Sequence, residues 1–68
     1  MTKKQKQDLL EQMMFEAERR ENDFPVVDGL DKIPSGYRGI ALEINDHGNV
    51  SAVKCFKNGN FREIASRA

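Results

Sequence analysis

The sequence predicts an α+β fold: an N-terminal amphipathic helix packed on a three-stranded antiparallel β-meander. Three observations lead there. Apolar residues recur at three- and four-residue spacing before Glu21 and at two-residue spacing after Tyr37, and two glycine-containing turn signals divide the later stretch.

The helix is expected over about residues 3–21. Thr2 followed by Gln5 fits a capping box, in which hydroxyl and amide satisfy backbone N–H groups that a helix start leaves unpaired. Leu9, Leu10, Met13, Met14 and Ala17 then form one apolar stripe, uninterrupted by Gly or Pro. Lys4, Asp8, Glu11, Glu18 and Arg19 fall on the opposite, solvated face, and Glu16 stands four residues before Arg20 in the favourable order for an ion pair. Asn22 suits the left-handed conformation that ends a helix.

Residues 22–36 are expected to be irregular, because Pro25, Gly29 and Pro34 break regular structure. Phe24, Val26, Val27, Leu30 and Ile33 nevertheless make the segment too apolar for a free linker, so it packs along the core edge.

Strands are expected over about residues 37–44, 50–56 and 61–65. Ile40, Leu42 and Ile44 alternate with Gly39, Ala41 and Glu43, which is the period of a strand. Asn45-Asp46-His47-Gly48 fits a three-residue loop that pairs Asn45 with Asn49, and Asn58-Gly59 fits a two-residue type I′ turn. Counted across these turns, Ile44 faces Val50, Leu42 faces Ala52, Phe56 faces Phe61, Lys54 faces Glu63 and Val53 faces Ile64. One sheet face then collects Ile40, Leu42, Ile44, Val50, Ala52, Phe56 and Phe61, with Lys54 and Glu63 as a neutralising pair; the other collects Ala41, Val53, Cys55 and Ile64.

At 68 residues the chain has room for one domain, residues 1–68, with a thin core. Cores of this size supply about 3–5 kcal/mol unless disulfides, a metal or a partner help. Cys55 is the only cysteine and His47 the only histidine, so an internal disulfide is excluded and a structural zinc site, which draws mostly on cysteine and histidine, nearly so. Self-association is the remaining support. No signal-peptide core and no stretch of about 20 apolar residues is present, and the lone thiol suits a reducing compartment, so a cytoplasmic location is expected.

Composition and motifs exclude several functions. A cysteine nucleophile needs a base within reach, and His47 lies in a hairpin turn far along the strand from Cys55, which reads as a small buried hydrophobe. The carboxylates of the helix are solvated, and Asp23, Asp28 and Asp31 lack the glycine and closing glutamate of a calcium loop. Gly36 and Gly39 stand at a strand start and form no phosphate loop; Gly39 marks a bulge or a close backbone approach. No catalytic, cofactor-binding or metal residue is therefore assigned.

The expected function is that of a non-enzymatic interaction or regulatory accessory module, acting as a homodimer or by binding a partner protein. A single helix covers only one sheet face, so Ala41, Val53, Cys55 and Ile64 become the candidate interaction surface, to be met by the Phe24–Ile33 segment, a second copy or a partner. The alternative is a nucleic-acid binder using Arg38, Lys54, Lys57 and Arg62, with Phe56, Phe61 and Tyr37 available for base stacking. Eleven basic and eleven acidic groups cancel, which weighs against that alternative, as does an apolar face on which the helix would bury both phenylalanines.

Overall fold

A computed structural model describes residues 1–67, with one helix, α1 (Lys3–Glu18), and four strands: β1 (Val26–Val27), β2 (Gly39–Ile44), β3 (Val50–Cys55) and β4 (Phe61–Arg67). The strands form one sheet in the order β1-β2-β3-β4. The α+β class holds, but the sheet is four-stranded and mixed: β1 runs parallel to β2, with Val26 beside Leu42 and Val27 beside Glu43. A two-residue strand has no period to read. Its pairing is fixed by contacts such as the Leu42 N–H donating to the Pro25 carbonyl at 2.9 Å.

The capping box forms as expected, with the Gln5 N–H donating to Thr2 Oγ1 at 3.1 Å and the Thr2 N–H to Gln5 Oε1 at 2.8 Å. The helix stops sooner than its composition suggests. Arg20, not Asn22, takes the left-handed conformation (φ 59°), the Glu21 N–H donates to the Glu16 carbonyl at 2.9 Å, and the Arg20 N–H donates to the Ala17 carbonyl at 3.2 Å. This is a Schellman ending with arginine where glycine is favoured. It turns Arg20 out of the helix, so the expected Glu16–Arg20 pair is not made and Glu16 accepts from the Gln12 amide at 3.3 Å.

Leu10 and Met13 are buried against Leu42, Val50, Ala52 and Ala65, with Leu9, Met14, Ala17, Phe24, Ile40 and Ile64 packed around them. Phe15 lies off the stripe and is exposed, with the Arg19 guanidinium 5.3 Å from its ring centroid. Between β1 and β2 the chain makes a short 3-10 turn at Leu30–Lys32 and then passes Tyr37, whose hydroxyl donates to the Ile40 carbonyl at 3.0 Å. Gly39 is held at φ 128°, and a Cβ there would stand 3.2 Å from that hydroxyl, so a tyrosine side chain, rather than a bulge or another backbone, approaches this glycine.

The two hairpins use the same loop. In the first, the Asn45 N–H donates to the Asn49 carbonyl at 3.0 Å and Gly48 is left-handed at φ 82°. In the second, the Phe56 N–H donates to the Asn60 carbonyl at 3.0 Å, the Gly59 N–H donates to the Phe56 carbonyl at 3.1 Å, and Gly59 is left-handed at φ 84°. Asn58 is not left-handed, so the expected two-residue type I′ turn gives way to a three-residue loop.

This one-residue difference corrects the β3–β4 register. Cys55, rather than Phe56, lies beside Phe61, Lys54 beside Arg62 and Val53 beside Glu63. A bulge at Ile64 then absorbs the shift, and Ala52 pairs with Ala65 in the expected register. The β2–β3 pairs Ile44–Val50 and Leu42–Ala52 form as expected.

Candidate functional site

Strand alternation and the observed register sort the sheet into two faces. The face under α1 carries Ile40, Leu42, Val50, Ala52 and Ala65, and the bulge lets Ile64 join this side rather than the opposite one. The other face carries Ala41, Val53 and Cys55, which are 0%, 3% and 4% exposed in the single chain. The segment between β1 and β2 supplies cover: Leu30 borders the same shallow groove as Val53, Phe61 and Glu63. Of the four candidate interaction residues, three are thus buried by the chain itself and Ile64 packs beneath the helix.

Burial raises the Cys55 thiol pKa above its ordinary value, which favours the protonated thiol. Tyr37 is likewise raised, first by burial and then by the charges of Cys55 and Asp23. His47 lies in the β2–β3 loop, where its backbone N–H donates to Asn45 Oδ1 at 2.9 Å, while Cys55 closes the far end of β3. No group of three or more potential metal ligands and no buried charged side chain occurs among the described residues.

The basic residues tell a different story. Lys54 and Arg62 are direct cross-strand neighbours and both are exposed. Like charges placed opposite each other destabilise a sheet. Lys6 and the Met1 terminus come to the same place from α1, so that Met1, Lys6, Lys54, Arg62 and Ile64 border one shallow concavity together with Glu63. The expected Lys54–Glu63 neutralisation is absent: Glu63 Oε1 instead accepts the Ser51 hydroxyl at 3.2 Å.

The salt bridges among the described residues are Arg19–Glu21 at 3.4 Å and Arg67–Glu11 at 4.0 Å, neither of which involves this group. The first helical turn has no acidic residue to meet the positive end of the helix dipole. Lys57, in the β3–β4 loop, and Arg38, just before β2, lie at the same end of the sheet. A chain with no net charge therefore gathers Lys6, Arg38, Lys54, Lys57 and Arg62 toward one end, with Glu63 among them.

The register also separates the two phenylalanines expected to share a face. Phe56 follows the Lys54 side, and the Lys54 ammonium lies 5.5 Å from its ring centroid. Phe61 pairs with Cys55 and meets Leu30 on the other side. Both also border the open end of the hairpin, where Phe56 remains 38% and Phe61 42% exposed. From sequence, Lys6 reads with Lys3 and Lys4 as a solvated helix tip and Phe56 as a buried ring; their placement at this end depends on the β3–β4 register and the helix position.

No helix among the described residues is long and apolar enough to cross a membrane. No family model, curated protein or solved structure matches the chain.

Proposed function

We propose that this chain is a non-enzymatic interaction module, working in a reducing compartment, that binds an anionic partner through the end where α1 meets the β3–β4 hairpin. One observation carries the reading: Lys54 faces Arg62 across the strands, with Lys6 beside them and no carboxylate paired to any of the three among the described residues. A cost in folding energy at an exposed position is offset when an anion sits between the charges. The test is retention on a heparin matrix at low salt. The protein is expected to bind and to elute as salt rises, and a Lys54→Glu, Arg62→Glu double variant to flow through. Passage of the parent protein without retention would remove the reading.

A homodimer is the second reading, and the edge strand β4 supports it. This strand runs Phe61–Arg67 with no strand on its outer side, so a second copy has backbone groups to pair with. The bulge at Ile64 and the flanking charges of Arg62, Glu63 and Arg67 oppose such pairing. Light scattering over a range of concentrations tests it, and a monomer throughout would end it.

A further inference from the structure

Resting on the anion-binding reading above, we infer that the partner is single-stranded nucleic acid, with Lys6, Lys54 and Arg62 holding phosphates and the ring of Phe56 stacking on one base. The decisive juxtaposition is an exposed aromatic ring beside cations that form no salt bridge among the described residues, on one side of a hairpin. Phe56 is fixed at the end of β3 by its backbone pairing with Asn60, and the Lys54 ammonium rests over one face of its ring, 5.5 Å from the centroid, so a base stacks on the opposite face. Aromatic rings bind bases through their faces regardless of sequence, while lysine and arginine follow the backbone.

Other anionic partners fit less well. Beyond Phe56 the hairpin tip is Lys57-Asn58-Gly59-Asn60, all exposed, and entry into a membrane would strip water from its amides and loop backbone. A duplex keeps its bases stacked and withheld from Phe56, so a single strand is favoured. An acidic peptide would satisfy the cations but has no planar group for the ring. Asn58 Oδ1 accepts the Asn60 N–H at 3.2 Å, which leaves the Asn58 NH2 group and the Asn60 amide, beside Phe56 at the hairpin end, to meet base edges without strong sequence preference.

The register supplies an internal control. Phe61 has nearly the same exposure as Phe56, yet it pairs with Cys55 on the side away from Lys54 and borders Leu30. Phe61 borders the same hairpin end but on the side away from Lys54, so Phe56 contributes more to binding than Phe61.

The experiment is a fluorescence-anisotropy titration of the full chain with labelled oligothymidylate and oligouridylate. Duplex DNA, heparin, and vesicles of phosphatidylcholine with phosphatidylserine serve as comparison arms. Three phosphate contacts on a single strand give a log–log salt slope of about −2, and Arg62→Gln reduces its magnitude by about 0.7. Phe56→Ala weakens binding at least about fivefold with the slope unchanged, whereas Phe61→Ala weakens it less. The chain contains no tryptophan, so Phe56→Trp installs a single reporter whose emission is quenched when a base stacks on it.

Circular dichroism verifies that each variant is folded. Oligonucleotide binding that ignores Phe56→Ala and leaves Phe56→Trp unquenched would overturn the stacking site. Binding to heparin or vesicles but not to single strands would overturn the nucleic-acid assignment while leaving the anion-binding module intact. Absence of binding to every anion at low salt would overturn both.

Discussion

Reversing the charge of Arg62 should make the protein more stable. Lys54 and Arg62 are cross-strand partners, and charge centres on such neighbouring stems lie about 7 Å apart, which in water corresponds to a repulsion of about 0.6 kcal/mol. Arg62→Glu replaces repulsion with attraction, a swing of about 1.2 kcal/mol at low ionic strength. At about 0.15 M salt the screening length is about 8 Å, which leaves somewhat under half of that, about 0.5 kcal/mol. A domain of this size gains about 4–8 °C in Tm per kcal/mol, so the variant should melt about 5–10 °C above the parent at low salt and about 2–4 °C above it at 0.15 M. Arg62→Gln, which only removes the repulsion, should gain about half as much. Thermal melts followed by circular dichroism at low and high salt measure all three proteins. The type I′ register would instead put Glu63 opposite Lys54, leaving Arg62→Glu nothing to relieve. A variant no more stable than its parent, or a gain indifferent to salt, would therefore refute the register and the reasoning built on it.

Other consequences follow from the same geometry. Leu10 is fully buried at the centre of the helix–sheet contact, so Leu10→Ala should cost about 3–5 kcal/mol, enough to unfold much of the protein at 37 °C, as a urea titration would show. Arg20 sits at φ 59°, so Arg20→Gly should raise stability by about 1 kcal/mol despite the greater freedom glycine gives the unfolded chain; an unchanged urea midpoint would contradict the Schellman ending. Burial raises the Cys55 and Tyr37 pKa values above 9.0 and 10.0, favouring the protonated forms in the folded state. Their contribution is fully present below those ordinary values and is lost as pH rises through the higher folded ones, so the urea midpoint should fall in alkaline solution, and less so for Cys55→Ala. The Cys55 thiol should also react with a disulfide reagent only as fast as the protein opens.

The helix, the first hairpin and the core stripe could be read from sequence because their signals are local. Leu9, Leu10, Met13, Met14 and Ala17 repeat with helical spacing, and Asn45 both starts its loop and holds it, accepting the His47 and Asn49 N–H groups at 2.9 and 3.0 Å. The second hairpin was ambiguous because Asn58-Gly59 is compatible with a two- or a three-residue loop, and both place glycine in a left-handed position. That single residue decides whether Lys54 meets Glu63 or Arg62, and whether Phe56 and Phe61 share a face. The bulge at Ile64 could not be foreseen from alternation, since it restores the expected Ala52–Ala65 pair and hides the shift within the strand. β1 was missed because Val26–Val27 gains its partner only when Pro25 reaches β2 across the fold. The gathering of basic residues at one end is a product of these non-local choices, which is why net composition argued against it.

The most direct test of that end is an amide chemical-shift titration of the isotopically labelled protein with oligothymidylate at low salt. The largest changes should fall on Lys6 and its helical neighbours and on the hairpin from Lys54 to Arg62, fading as salt is added. Changes centred instead on β1, on the Leu30–Lys32 turn or on the first hairpin, or no changes at all, would contradict the account.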